Sequence, residues 1–162
     1  MVPRPATLED LPFILDLFDR RVEWLVAQGV PGQWGTEPVS AKESFAGRVE
    51  GWVTTGDAWV VDGLSAIVLS DAPPPYAAEG WKQNSIFLSG LITAPRPEAR
   101  GLGRSMMAWA EDRLRAQGRT WLRLDCWADG DFLQGYYESM GFSKIGEFVV
   151  GPFRGAVMEK AL

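Results

Sequence analysis

The sequence contains no histidine and a single cysteine among its 162 residues. Without histidine, the chain lacks the commonest general base and the commonest metal ligand, so no metal site is expected. The one thiol, Cys126, cannot form a disulfide within the chain, which is typical of a protein of the reducing cytoplasm. No secretory signal opens the sequence, and no apolar run approaches the ~20 residues of a membrane span, so neither export nor a membrane partner is expected.

Positive charge is also scarce. The chain has 16 lysine and arginine residues against 21 aspartate and glutamate residues, which gives a net charge of −5. This balance argues against a nucleic-acid partner and weakly favours a cationic one. With 46% hydrophobic residues, the chain can bury one sizeable core, so residues 1–162 are expected to form a single domain. These figures leave the assembly open, a homodimer included.

A strand, a glycine turn and a helix are predicted in the middle of the chain. Ile86 to Ile92 is an apolar run of strand length, and apolar residues then recur at helical spacing: Leu102, Met106, Ala110 and Leu114. Gly101 and Gly103 leave N–H groups uncovered at the start of the helix, where an anion is attracted. Arg100 and Arg104 add donors for phosphate oxygens. The turn therefore predicts a phosphate-bearing ligand, although the same glycines also suit a turn that merely lets helix and strand pack closely.

Elements before this stretch follow from periodicity and turn residues. A short strand at Arg4 to Thr7 precedes a helix that begins near Asp10, and Ser40 is expected to cap a second helix. Two β-rich runs flank Asp62-Gly63, which is a strong signal for a two-residue hairpin turn.

Elements after the central helix are predicted in the same way. Trp121 to Trp127 alternates as a strand, with Arg123 and Asp125 on the opposite face from its leucines. Asp131 is expected to cap a short helix that ends at Met140-Gly141. Two final strands follow, one through Val149-Val150 and one through 156–158.

The segment Tyr137-Glu138-Ser139-Met140-Gly141-Phe142 makes the pattern specific. A strand, glycine turn and helix, then a strand, then a short helix that ends Tyr-Glu-x-x-Gly-Phe, resembles the GNAT superfamily of acetyl-CoA-dependent N-acetyltransferases. The likeness covers the whole chain and is strongest from Ile86 to Phe142. It implies an α/β (α+β) fold in which helices flank a central, mixed and mostly antiparallel sheet.

The resemblance also implies where acetyl-CoA binds. The pyrophosphate is expected on the turn formed by Arg100, Gly101, Leu102, Gly103, Arg104 and Ser105. The pantetheine arm is expected to pair with backbone at Leu91, Ile92 and Thr93, like an added strand.

The sequence departs from the family's pattern at four positions, one of which is Ala99, where a glycine is common. Glu98 reverses the charge that usually opens the turn, so it either points to solvent or is offset by the neighbouring arginines. Gly130 stands where an asparagine is common seven residues before the tyrosine. Phe87, with Ser85 and Ser89 on its face of the strand, stands where many members carry a catalytic glutamate.

Tyr137 is the expected general acid. An attacking amine, with a pKa of about 10.4 when free, must lose a proton, and the departing thiolate benefits from gaining one. The resemblance implies that the Tyr137 hydroxyl supplies that proton, whereas Tyr136 beside it is expected to pack. The alternative for Tyr137 is a core aromatic with a satisfied hydroxyl.

Asp125 is the candidate base, because without histidine only a carboxylate or a water chain remains. Burial among apolar strand neighbours would raise its pKa toward a useful range. Alternatively, Asp125 pairs with Arg123, Arg119 or a backbone donor. Carboxylates in loops could also reach a substrate: Glu37, Asp57 and Glu79.

Taken together, the sequence predicts an acyltransferase that moves an acetyl group from acetyl-CoA to a primary amine of a small molecule or a peptide. Backbone N–H groups near Leu91 to Thr93 would steady the developing oxyanion. Two alternatives stay open: a longer acyl-CoA donor, and a module that binds coenzyme A without turnover.

Overall fold

The computed structural model describes residues 1–30, 32–130 and 132–162. Its strands are β1 Arg4–Pro5, β2 Ala58–Val61, β3 Ser65–Ser70, β4 Ser85–Thr93, β5 Trp121–Trp127, β6 Ser143–Val150 and β7 Phe153–Ala161. Its α-helices are α1 Leu11–Ala27, α2 Glu43–Thr54, α3 Leu102–Ala116 and α4 Phe132–Glu138.

These strands form one sheet in the order β1-β2-β3-β4-β5-β7-β6. The pair β4–β5 is parallel, whereas β1–β2, β2–β3, β5–β7 and β6–β7 are antiparallel. The predicted mixed and mostly antiparallel sheet is therefore confirmed. No helix in the described ranges is long and apolar enough to span a membrane.

The chain forms two compact units. Unit 1 comprises Met1–Val68 and Gly90–Trp109, and unit 2 comprises Leu69–Ser89 and Ala110–Leu162. Strands β3 and β4 and helix α3 each run from one unit into the other. The single-domain assignment of residues 1–162 stays a prediction.

In unit 1, α1 begins at Leu11 because residues before the helix are hydrogen-bonded to Asp10. The Asp10 carboxylate accepts the Thr7 N–H at 2.8 Å and a hydrogen bond from Arg4 Nη2 at 2.7 Å. Pro12 then lies in the first helical turn, where its missing N–H would have no partner anyway. The predicted start near Asp10 is confirmed.

The other predictions for unit 1 had mixed outcomes. The hairpin is confirmed, but Val61 pairs with Ser65, so the turn has three residues, 62–64, rather than the predicted two. Gly63 in that turn has a left-handed φ of +70°. Ser40 as a helix cap was wrong, because α2 begins at Glu43 after Lys42. Ser40 instead donates its hydroxyl to Asp19 at 2.6 Å, and its N–H also bonds to that carboxylate.

In unit 2, β5 has the predicted bounds and pairs on both sides. Its first half pairs in parallel with β4, from Ser85↔Trp121 to Leu88↔Leu124, and its whole length pairs with β7. The register between β6 and β7 shifts between Lys144 and Gly146, so Ile145 is an extra residue in β6. Such a β-bulge bends its strand and changes the direction of side chains beside it.

Helix α4 carries Tyr137 as predicted and ends before Gly141, whose φ is +92°. The Phe142 N–H donates a hydrogen bond to the Tyr137 carbonyl at 3.2 Å, which satisfies that carbonyl at the end of the helix. Asp131, the predicted cap, lies outside the described residues.

Candidate functional site

Helix α3 is preceded by a glycine with a left-handed backbone. Gly101 has φ +78°, and no atom lies within 4 Å of the position that a Cβ would take. Its carbonyl accepts the Ser105 N–H at 3.2 Å, so the hydrogen bonds of the helix start there. The N–H groups of Leu102 and Gly103 have no acceptor within the helix. They form an open set of donors at the positive end of the helix dipole, which fits a phosphate.

The charges beside this turn face solvent. Arg100, Arg104 and Glu98 are all exposed. In the described part of the chain, neither Arg100 nor Glu98 makes an ion pair. The sequence left two possibilities for Glu98: pointing to solvent, or being offset by the neighbouring arginines. In the structure, Glu98 points to solvent. Arg100 keeps its guanidinium donors available to an incoming anion.

The end of β4 presents different backbone groups on its two edges. The Ile92 carbonyl accepts the Ser65 hydroxyl at 2.8 Å, and the Ala94 N–H donates to the Leu64 carbonyl at 2.7 Å. Because backbone groups alternate between edges along a strand, Leu91 and Thr93 present theirs on the opposite edge. The pairing proposed for the pantetheine arm therefore falls to those two residues, and the Ile92 carbonyl is already occupied.

Thr93 has a further partner that the sequence did not reveal. Arg21, from α1, donates through Nη2 to the Thr93 carbonyl at 3.3 Å. Burial lowers the pKa of the Arg21 guanidinium, which also lies over the Trp24 ring at 5.3 Å. A cation is thus held at the end of β4.

In unit 2, the Tyr137 side chain is buried. Its ring meets Tyr136 and Phe142 edge to face, with centroid distances of 5.3 Å and 5.8 Å. Burial, with smaller contributions from Cys126, Tyr136 and Asp125, raises the pKa of the Tyr137 phenol well above its usual range. The hydroxyl therefore stays protonated at neutral pH, and no group of the described chain is hydrogen-bonded to it.

Asp125 lies half-buried on β5, opposite Val157 of β7. Its charge contributes to the raised pKa of Tyr137 and also helps to raise the pKa of Cys126 to about 12, after burial. The two catalytic candidates are thus within electrostatic range of each other in unit 2.

The arginine partners that the sequence offered for Asp125 are engaged elsewhere. Arg119 pairs with Asp71, and Arg123 pairs with Glu159 at 2.7 Å. Arg123 is 1% exposed and Glu159 is 5% exposed. Sequence reasoning missed this buried pair, although opposite charges within two mostly apolar strands were a usable signal.

Phe87 is fully buried, and packs with Ala77 and Val157. It holds an apolar core position where the family that the sequence resembles often has a glutamate, and its ring cannot act as a base. On the same strand, the buried Ser85 hydroxyl has no hydrogen-bond partner among the described residues.

The structure therefore groups the predicted residues by unit. The cofactor-binding residues all lie in unit 1: Leu91, Ile92, Thr93, Arg100, Gly101, Leu102, Gly103, Arg104 and Ser105. Tyr137 and Asp125 both lie in unit 2.

Comparison with known proteins gives one family. Residues 20–142 match the Acetyltransferase (GNAT) family. Over 150 residues the chain is 32% identical to the Uncharacterized N-acetyltransferase YesJ of Bacillus subtilis (strain 168), covering 88% of this chain and 81% of that protein.

Solved structures share the fold. An acetyltransferase of the GNAT family from Listeria monocytogenes 4b F2365 superposes with a TM-score of 0.73 at 19% identity, covering 99% of this chain and 94% of that one. The PaiA N-acetyltransferase of Thermoplasma acidophilum, in complex with coenzyme A, gives a TM-score of 0.66 at 18% identity, with coverage of 99% and 98%. The chain belongs to the GNAT family of acetyltransferases.

Proposed function

We propose that this protein transfers the acetyl group of acetyl-CoA to a primary amine of a small molecule or a peptide. The observation that carries the proposal is the start of α3. There Gly101 adopts φ +78°, N–H donors at Leu102 and Gly103 are open, and Arg100 is exposed and unpaired in the described chain. This set of donors suits the pyrophosphate of coenzyme A.

The backbone at the end of β4 supplies the second part of the proposal. Leu91, and the N–H of Thr93, face the edge away from Ser65, where an extended pantetheine arm could pair as a strand does, while the Thr93 carbonyl accepts a hydrogen bond from Arg21. An N–H on this edge, aimed at the thioester oxygen, would stabilise the negative charge that develops there. The cosubstrate supplies the activated acetyl group.

The proton balance of the reaction assigns roles to two side chains. The amine loses a proton, its nitrogen forms a bond to the acetyl carbon, and the carbon–sulfur bond breaks to leave a thiolate. Asp125 is the proposed acceptor of the amine proton, directly or through water. Tyr137 is the proposed donor to the sulfur.

The raised pKa of Tyr137 has two opposing effects on that role. It keeps the phenol protonated and ready to donate. However, a phenol is already a weaker acid than a free thiol, whose pKa is about 8.5, and the shift makes it weaker still. A thiolate that forms in the same apolar surroundings also has a raised pKa, because burial disfavours every anion. A raised thiol pKa makes proton transfer from Tyr137 to the sulfur less unfavourable than transfer from the same phenol to a fully solvated thiolate.

We also place the protein in the cytoplasm. Its one cysteine is buried as a free thiol, and burial raises the pKa of that thiol to about 12, which keeps it unreactive.

The test is release of coenzyme A from acetyl-CoA in the presence of a panel of primary amines, followed with a thiol reagent and confirmed by mass spectrometry of the acetylated amine. We expect release that depends on the amine, above the slow hydrolysis seen without one. Propionyl-CoA and butyryl-CoA test the longer donors in the same assay. Calorimetric binding of coenzyme A without release across a broad panel would overturn the transfer and leave a binding module.

A further inference from the structure

Unit 2 contains a cavity of about 360 Å³ that the cofactor assignment does not use. Its walls come from the loop at residues 77–82 and from strands β5, β6 and β7. The volume lies in the usual range for sites that bind small molecules. The bulge at Ile145 and the side-chain-free Gly146 form one wall, and they leave that side of the cavity open.

Most of the charge that lines the cavity is already neutralised. Arg123 donates through Nε and Nη2 to Glu159 Oε2, at 3.0 Å and 2.7 Å. It also donates to the carbonyls of Ala77, Glu79 and Gly80, at 2.9 Å, 2.7 Å and 2.9 Å. These five bonds match the five N–H donors of a guanidinium.

Lys82 and Glu159 are also satisfied. Lys82 Nζ pairs with Glu159 Oε1 and lies 3.4 Å from the centroid of the Trp121 ring. Both oxygens of Glu159 therefore carry a cation, and neither group offers a free charge to a ligand.

Glu79 differs from these groups. Its carbonyl is fixed by the buried Arg123, yet its exposed carboxylate makes no ion pair with any described residue. Among the charged residues that line the described cavity, Glu79 alone presents an unpaired charge. The backbone anchor holds this anion at the cavity without neutralising it.

The cavity also adjoins the candidate base. Asp125 and Arg123 are two residues apart on β5 and so lie on the same face of that strand. Asp125 stands directly opposite Val157, which lines the cavity. Directly opposed residues on antiparallel strands have Cβ atoms about 5 Å apart.

We propose that this cavity receives the acceptor of the reaction and that Glu79 binds a second cationic group on it. The acceptor class is then a primary amine that carries another ammonium group a few carbons away. This inference rests on the proposed function, with the reacting amine toward Asp125 and the distal ammonium on Glu79.

The experiment compares three four-carbon acceptors that differ only at the distal end: 1,4-diaminobutane, butylamine and 4-aminobutanoate. We expect wild-type kcat/KM to be at least tenfold higher for the diamine than for butylamine, and lowest for 4-aminobutanoate. A preference for 4-aminobutanoate would overturn the assignment, because it would show that the cavity prefers an anion to a second cation.

Two variants localise the effect. Glu79→Gln should bring the diamine down to about the level of butylamine, whereas Glu50→Gln, which removes an exposed charge from α2, should keep the wild-type ratio. Gly146→Val should lower kcat/KM for all three acceptors at least tenfold by filling the cavity. Gly146 has no left-handed φ and no atom within 4 Å of its Cβ position, so this variant should fold.

Binding is measured separately by calorimetry, so that failure of this inference can be told from failure of the transferase assignment. The diamine should bind the wild-type protein, with coenzyme A present, at least tenfold more tightly than it binds Glu79→Gln or Gly146→Val. Turnover in which Glu79→Gln keeps the wild-type ratio and Gly146→Val keeps the wild-type kcat/KM would overturn the cavity site and leave the transferase intact. Absence of turnover with diamine binding that both variants weaken would support the cavity site and overturn the transfer.

Discussion

Arg123 and Arg100 show how one residue type serves two purposes in this protein. Arg123 is 1% exposed, and its donors are all bound to Glu159 and to three loop carbonyls. Arg100 is exposed and makes no ion pair in the described ranges. A charge whose partners lie within the protein stabilises the fold, and a charge without such partners remains available to a ligand. Glu159 and Glu79 form the same contrast among the carboxylates.

The largest expected effect tests the proposed acid role of the Tyr137 hydroxyl. Tyr137→Phe removes only the hydroxyl and keeps the packing against Tyr136 and Phe142, so kcat should fall by about 10²–10⁴-fold. The KM for acetyl-CoA should stay near wild type, because a proton given in the transition state adds little to ground-state binding. Steady-state kinetics on an amine acceptor provide the measurement.

Tyr136→Phe is the matched control for this change and should be nearly silent. If both variants show equal and small losses, the acid is water or another side chain.

The second effect tests how much the buried ion pair of Arg123 and Glu159 contributes to stability. Arg123→Met leaves Glu159 buried without its main partner, and we expect a loss of about 3–5 kcal/mol in the free energy of unfolding. Arg154→Met removes a surface arginine that pairs with Asp129 and Glu147, and it should cost far less, because water screens an exposed ion pair. Urea denaturation measures both.

The double variant Arg123→Met/Glu159→Leu sharpens this result. It should recover part of the loss, because it removes the uncompensated charge. Equal losses in the single variants at Arg123 and Arg154 would show that burial does not distinguish the two ion pairs.

The third effect concerns the open donors of α3. Gly101→Val places a β-branched residue at φ +78°, and calorimetry should show at least a tenfold loss of coenzyme A affinity, about 1.4 kcal/mol. Gly63→Val is the control, since Gly63 has φ +70° and equally free space at its Cβ position, but lies in the hairpin turn. An unchanged affinity in a folded Gly101 variant would mean that the phosphates bind elsewhere.

The fourth effect is a pH dependence of the free energy of unfolding, caused by the paired carboxylate of Asp10. Arg4, with help from the Thr7 N–H, lowers the pKa of Asp10 to about 2 from its ordinary 3.8. Because the folded protein binds this proton less readily than the unfolded chain, the stabilisation is present above about pH 4 and is lost as pH falls toward 2. Arg4 is well exposed, so screening reduces the contribution to about 1 kcal/mol.

Comparing wild type with Asp10→Asn measures this contribution. The difference in unfolding free energy should shrink by about 1 kcal/mol between pH 6 and pH 2. A constant difference would show that the Arg4 pair adds nothing to stability.

The smallest effect concerns Glu98. Its side chain is exposed and makes no ion pair in the described part of the chain, so Glu98→Gln should change coenzyme A affinity less than about twofold, with slight tightening at low salt. Calorimetric titrations of wild type and Glu98→Gln with coenzyme A, at two salt concentrations, measure this change. Weakened binding would show that Glu98 orients Arg100 or Arg104.

The local elements could be predicted because their signals are local. The hairpin at Asp62-Gly63, the strand Trp121–Trp127 and the helix after Gly101 each depend on periodicity or on a residue that a turn requires. Ser40 was misplaced because its hydroxyl has a partner 21 residues away in α1, Asp19, which no local pattern reveals.

Sequence alone determined the family resemblance, the glycine turn before α3 and the position of Tyr137 on α4, because each depends on a short motif of neighbouring residues. Tertiary structure alone decided which charges are paired. Arg123 binds Glu159 and a loop more than 40 residues away rather than Asp125, and Arg21 reaches the Thr93 carbonyl across 72 residues. The free energy of an ion pair depends on distance and burial, and both are set only when the chain has folded.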